Sequence, residues 1–185
     1  MRFNPANYGP GVAGLLALDG DGERLIPLVA DRCSSKTAHE RLSSGDPRSL
    51  FTKSYSPQGA VAGLWLYFSC FEEAHAVAQD LHTPEGSLWH AILHRQEPDS
   101  GNAAYWFRRA GDHPINAKLL TAAEEIISRY PEAEFRLSTK WDPFAFVMFC
   151  ERARQQPASS QERAALEIQR AEWQLLFDYC AGPRS

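Results

Sequence analysis

The chain has no C-x-x-C pair, glycine-rich phosphate loop, nucleophile elbow or dinucleotide fingerprint. Each missing motif removes the chemistry that depends on it: zinc-knuckle or dithiol redox work, mononucleotide binding, serine-type acyl transfer and hydride transfer. Excess positive charge is also missing. The formal net charge is −4, and the pairs Arg108-Arg109 and Arg152/Arg154 are too small to attract a polyphosphate, so no nucleic-acid partner is expected. The longest apolar run, Ala60 to Phe68, is far short of a bilayer span, so no membrane partner is expected. The start, Met1-Arg2-Phe3-Asn4-Pro5, has no apolar h-region and predicts no secretory signal. Cys33, Cys70, Cys150 and Cys180 stand apart from one another. Read as free thiols, with Cys70 and Cys180 buried, they predict a reducing cytoplasm.

What is present is the composition of an ordinary folded protein. The chain has 185 residues, with 44% hydrophobic and 23% charged, which fits one compact domain. A chain of this size buries on the order of 70% of the surface it exposes when unfolded. The spacing predicts an all-α fold of packed antiparallel helical hairpins over residues 56–185, preceded by an irregular segment over 1–55. In that segment Gly9, Gly11, Gly14, Gly20 and Gly22 are expected to break helices. Leu15–Leu18 and Leu25–Val29 flank Asp19-Gly20-Asp21-Gly22 and could pair as a hairpin or form two helical fragments; Pro27 weakens the strand reading. The same Asp-Gly run begins like a calcium loop, but Arg24 stands where glycine is required and Ala30 where a bidentate carboxylate is, so it reads as a turn.

From Ser56 the punctuation is clearer. Ser56-Pro57 opens a helix. Ala74, Val77, Ala78 and Leu81 line one face of the next. Glu85 to Gln96 forms a third and the stretch after Ser100 a fourth, ending at Gly111. Leu119, Leu120, Ala123, Ile126 and Ile127 mark a fifth, Asp142-Pro143 opens a sixth, and Ser159 with Glu162 caps a long last one. A shift of 29 residues superposes Leu64 on Leu93, Ala74 on Ala103 and Ala78 on Phe107. This faint repeat is similar to tetratricopeptide or Sel1-like hairpins, where a small residue lets two helices approach closely.

The segment Leu88-Trp89-His90-Ala91-Ile92-Leu93-His94-Arg95-Gln96-Glu97-Pro98-Asp99, with Asn102, Tyr105-Trp106-Phe107-Arg108-Arg109 and His113-Pro114, resembles a family of uncharacterised bacterial proteins. Trp141-Asp142-Pro143-Phe144 and Glu172-Trp173-Gln174-Leu175-Leu176 extend the likeness, which covers roughly residues 63–181. The resemblance implies no activity, cofactor or substrate.

Candidate site residues cluster in that segment. His90, His94 and Glu97 follow at i, i+4 and i+7 and share one helix stripe, leaving Trp89, Ile92, Leu93 and Gln96 to face the core. Two histidines one turn apart are a divalent-metal pair (His90, His94) that a carboxylate or His113 would complete. Ala91 stands where a zinc-protease motif has its general base. The bland alternative, and the favoured one at this point, is a hydrogen-bonded structural network with the next helix; an organic ligand is a third. Trp106 beside Arg109 suggests a guanidinium over an indole, an anchor for carboxylate or phosphate. The competing reading has the arginine cover the ring and pair with Glu97 or Asp99. Five tryptophans, six tyrosines and ten phenylalanines suit either a wide core or a pocket. The leading functional expectation is a non-enzymatic helical module binding a protein segment or small ligand in an interhelical groove. The alternative is a metal- or small-molecule-binding enzyme using His90, His94 and Glu97. Oligomeric state is not legible.

Overall fold

The computed structural model describes residues 3–183. Among them lie nine α-helices: α1 (Pro10–Leu16), α2 (Lys36–Ser43), α3 (Pro57–Tyr67), α4 (Phe71–Asp80), α5 (Pro84–Gln96), α6 (Ser100–Ala110), α7 (Ile115–Ser128), α8 (Pro143–Arg154) and α9 (Ser160–Ala181). The fold is all-α. The only β pairing among the described residues is an isolated bridge between Ser54 and Pro183.

Helix boundaries follow local chemistry. Thr83, Asp99, Asp142 and Ser159 each accept a backbone N–H at the start of α5, α6, α8 and α9, which satisfies donors that the first turn leaves free. Ser56 precedes Pro57 but makes no such side-chain bond. At α9, Ser159 Oγ accepts from Glu162 N at 3.1 Å, while Glu162 Oε2 accepts in turn from Ala158 N at 2.6 Å. The expected capping box is therefore closed one residue early.

The N-terminal expectations need three corrections. Gly11 and Gly14 do not break a helix, because both lie inside α1. Val12, Leu15 and Leu16 are buried at i, i+3 and i+4, and a Cβ on Gly11 would sit 2.8 Å from Leu50 Cδ2, so glycine there permits a close approach. The hairpin is absent as well. Leu15 and Leu16 belong to α1, Asp19 leads into a 3-10 turn with Asp21 at φ 54°, and the extended stretch that follows gives its carbonyls to α9. Gln169 Nε2 donates to Ile26 O at 2.8 Å and to Pro27 O at 3.1 Å, while Gln174 Nε2 holds the end of the 3-10 turn through Gly22 O at 2.9 Å. Finally, Cys33 and Cys70 are not free thiols. Their Cα atoms lie 4.2 Å apart and the pair forms a disulfide, while Cys150 and Cys180 remain free and buried. With two of the four cysteines joined, the cysteines do not point to a reducing cytoplasm.

Two apolar clusters share α9 as a spine. Ala164, Ala165 and Ile168 pack with α7 and α8, whereas Trp173, Leu176, Phe177 and Cys180 pack with α1, α3 and α5. The second contact is close because α3 carries Gly63: a Cβ there would meet the Phe177 and Trp89 rings at 2.9 Å. Trp173 Nε1 donates to the Gly63 carbonyl at 2.8 Å, so the indole buries no unpaired donor.

These contacts make α5 a central helix. Every residue from Glu85 to Gln96 is buried, not just the stripe containing Trp89, Ile92 and Leu93. The helices α4 and α6 flank it as antiparallel neighbours. Near its C-terminal end the Arg95 guanidinium reaches Glu172 and Gln169 of α9 at 3.3 Å each, and Arg154 Nη1 donates to Arg95 O at 2.7 Å. Arg95 and Glu172 are almost fully buried. Their mutual attraction offsets a desolvation cost that neither would survive alone.

Candidate functional site

Burial of α5 carries its polar stripe inward, and α4 completes it. Ala74 and Ala78, both buried, are small enough to let α4 lie close against its neighbours, and His75 follows Ala74 toward α5. Its Nε2 lies 3.0 Å from His90 Nε2. The His75 ring meets His90 edge-on at 4.5 Å and His94 at 5.4 Å, while His90 and His94 stack at 4.7 Å. One ring nitrogen from each residue falls within 4.8 Å of the other two.

Side chains around the cluster orient it. Glu97 Oε2 lies 2.7 Å from His94 Nδ1. A carboxylate there holds the proton on Nδ1 and leaves Nε2 with a free lone pair. Asn102 of α6 places its amide 3.1 Å from that Nε2. The Trp106 indole stacks on His90 at 4.1 Å. His90 and His94 are buried, His75 and Trp106 are half-buried and Glu97 is exposed, so the cluster lies just beneath the surface, with His75, Trp106 and Glu97 at its outer edge. Burial, reinforced by the neighbouring imidazoles His75 and His94, lowers the His90 pKa to about 4. At neutral pH His90 is an uncharged lone-pair donor, and its Nδ1 is buried without a partner.

Of the expected site residues, His90, His94, Glu97 and Trp106 converge here. Arg109 stands 5.5 Å from the Trp106 ring, as a guanidinium over an indole should, and Arg108 lies 5.5 Å from the Phe144 ring. Neither pairs with Glu97 or Asp99 among the described residues, because both are drawn to aromatic faces. His113 is not part of the cluster. The chain runs antiparallel along α6 and returns to the start of α5, where His113 Nε2 lies 3.6 Å from Glu85 Oε1 and its ring 4.6 Å from Tyr179. At 1.5 Å per residue, Glu85 lies roughly 13 Å along the axis from His94. Burial pushes the Glu85 carboxyl up, but bonds from His113 and Thr83 outweigh it and hold the pKa below the ordinary value.

The residue that the sequence reading overlooked is His75. A signal for it existed: α4 and α5 form an antiparallel hairpin about Leu81-His82-Thr83, and positions 75 and 90 lie about seven residues to either side of that turn. Residues so placed sit at one height on neighbouring helices.

No family model, curated protein or solved structure matches the chain. Among the described residues no helix is long and apolar enough to cross a membrane.

Proposed function

We propose that the protein binds a zinc-like divalent cation through His75, His90 and His94 and uses it as a Lewis-acid centre. The observation that carries this reading is the convergence of three imidazole nitrogens within 4.8 Å of one another, with His75 half-buried at the outer side of the buried pair His90 and His94. Imidazole is a preferred ligand of zinc and its neighbours in the periodic table. Three protein ligands with a fourth position left to water are the pattern of catalytic zinc sites, whereas structural sites close the shell with a fourth protein ligand. A cation held this way polarises a bound water or a substrate oxygen. Glu97 would act through His94 as a positioning residue, and the Asn102 amide, released from Nε2 by the metal, would lie beside the open position. In this reading the hairpins α3–α4 and α5–α6 are tetratricopeptide-like units that bring the second helix of one against the first helix of the next.

The test is calorimetric titration of tag-free protein with Zn²⁺. One equivalent is expected to bind, and His75→Ala or His94→Ala should abolish stoichiometric binding. Glu97→Gln should weaken binding by roughly 10–100-fold, as removal of an outer-shell partner does. Absence of one-to-one binding, or binding that persists in His75→Ala/His90→Ala, would sink the proposal.

A further inference from the structure

The Cys33–Cys70 disulfide ties the irregular N-terminal stretch to the helix that supplies His75. Cys70 is the N-cap residue of α4, and His75 lies in the second turn of that helix. The two sulfurs differ in reach. Cys70 is buried at 1% exposure, whereas Cys33 is half-buried in the stretch that leads to α2. Cys150 and Cys180 are buried free thiols, and burial pushes the Cys150 thiol up to about 12. A dithiol or disulfide in solution therefore meets one reactive pair, with no accessible third thiol to scramble it.

Non-covalent contacts flank the bond. Ser34 N donates to Phe68 O at 2.6 Å, and Arg24 Nη2 donates to Ser69 Oγ at 3.0 Å. His39 Nε2 of α2 lies 2.6 Å from Glu73 Oε1 of α4. These contacts keep the two cysteines near each other after reduction, so the bond can re-form. Two thiols nevertheless need more room than a bonded pair, since unbonded heavy atoms rest roughly 3.5–4 Å apart. The corner Phe68-Ser69-Cys70 has little slack to give: Ser69 already sits at φ 56°, and Cys70 N donates to Trp65 O at 3.0 Å. The displacement passes into the start of α4, and so toward His75.

We infer that the Cys33–Cys70 bond is a reversible redox latch on the imidazole site. The oxidised chain holds His75 in register with His90 and His94, and reduction releases α4 and lowers metal affinity. This regulation rests on the metal reading. The exchange takes a dithiol as co-reactant. One of its thiolates attacks Cys33 Sγ, the half-buried sulfur; the S–S bond breaks and the electron pair leaves on Cys70 Sγ. The second thiolate then attacks the mixed disulfide and frees Cys33. The dithiol is oxidised to a disulfide by two electrons, and its two protons end on Cys33 and Cys70.

The test has two arms, both on the full chain without a tag. In the first, folded protein is equilibrated with reduced or oxidised dithiothreitol, trapped with a maleimide and weighed by mass spectrometry. Two labels are expected on the reduced form and none on the oxidised, with full interconversion and no covalent dimer. In the second, zinc affinity is measured against a chromophoric chelator for the oxidised protein and for Cys33→Ser/Cys70→Ser, which lacks the bond and offers no thiolate to the metal there. The variant should bind zinc about tenfold or more weakly, as loss of an outer positioning contact does. Should the variant fail to fold, reduced wild type titrated with Co²⁺ supplies the comparison, because thiolate ligation shows in its near-ultraviolet absorption. A bond that resists dithiothreitol in the folded protein, or equal metal affinity with and without it, would overturn the latch and leave the metal reading standing. Failure of the oxidised protein to bind metal at all would overturn both.

Discussion

His90 makes the fold sensitive to acid in a way that can be isolated by one substitution. The side chain is 3% exposed, and its pKa falls from 6.5 to about 4 in the folded chain. The unfolded chain therefore takes up a proton before the folded chain does. Above pH 6.5 neither state is protonated and the group is neutral to stability. As pH falls below 6.5 the unfolded state gains a proton that the folded state refuses, and the penalty grows until pH passes below 4. Linkage places the loss from pH 7 to pH 5 at about 2 kcal/mol and the loss at pH 4 at about 3 kcal/mol. For a chain of this length 2 kcal/mol corresponds to roughly 4–8 °C in Tm.

Carboxylates titrate in the same window, so the informative quantity is the difference between wild type and His90→Phe, which keeps a ring against Trp106. Thermal melts of both proteins should be followed by circular dichroism from pH 7 to pH 4 in the presence of a chelator. The wild-type Tm is expected to fall faster with acid, closing on or crossing that of the variant by about pH 5. Parallel curves would refute the reasoning, since they would mean that His90 titrates alike in the folded and unfolded chains. Zinc supplies a second arm. At a hundredfold excess over its Kd it should add ~2.7 kcal/mol at neutral pH, and this gain should shrink on acidification because protons compete for the same lone pairs.

Two further outcomes concern the frame around the site. Glu172→Gln leaves the Arg95 charge buried without its counter-ion and should cost about 3–5 kcal/mol by urea denaturation; a loss no larger than that of an exposed substitution would show that water reaches the pair. Cys33→Ser opens a covalent loop with a sequence separation of 37 and should cost up to about 4 kcal/mol by the chain-entropy relation. Identical melting with and without a reductant would show that this bond does not constrain the unfolded chain.

How much was legible in the sequence depended on how far apart the cooperating residues are. From Ser56 onward, caps, prolines and apolar periodicity are local signals, and α3 to α9 begin and end close to where those signals stand. The first 55 residues failed for the opposite reason. Their extended stretch has no strand partner among the described residues and is held by Gln169, as the turn before it is by Gln174, both more than a hundred residues away, and the disulfide joins positions whose neighbours give no hint of each other. Glycine was also misjudged in α1, where the absence of a side chain serves packing against Leu50 and not a turn.

The candidate site divides along the same line. His90, His94 and Glu97 lie within two turns of one helix, so periodicity alone aligns them. Trp106 and Asn102 follow once α6 is recognised as the antiparallel partner of α5. That same hairpin geometry excludes His113: a helix that comes back along its neighbour returns residue 113 to the level of Glu85, not to the level of His94. Applied to the preceding turn, it brings His75 level with His90. Helical spacing finds the ligands on one helix, whereas the register of a hairpin decides which residues can join them from the next. A two-histidine stripe is common and is most often structural. The third imidazole, supplied from across a turn at the matching height, is the feature that makes this one a candidate metal centre.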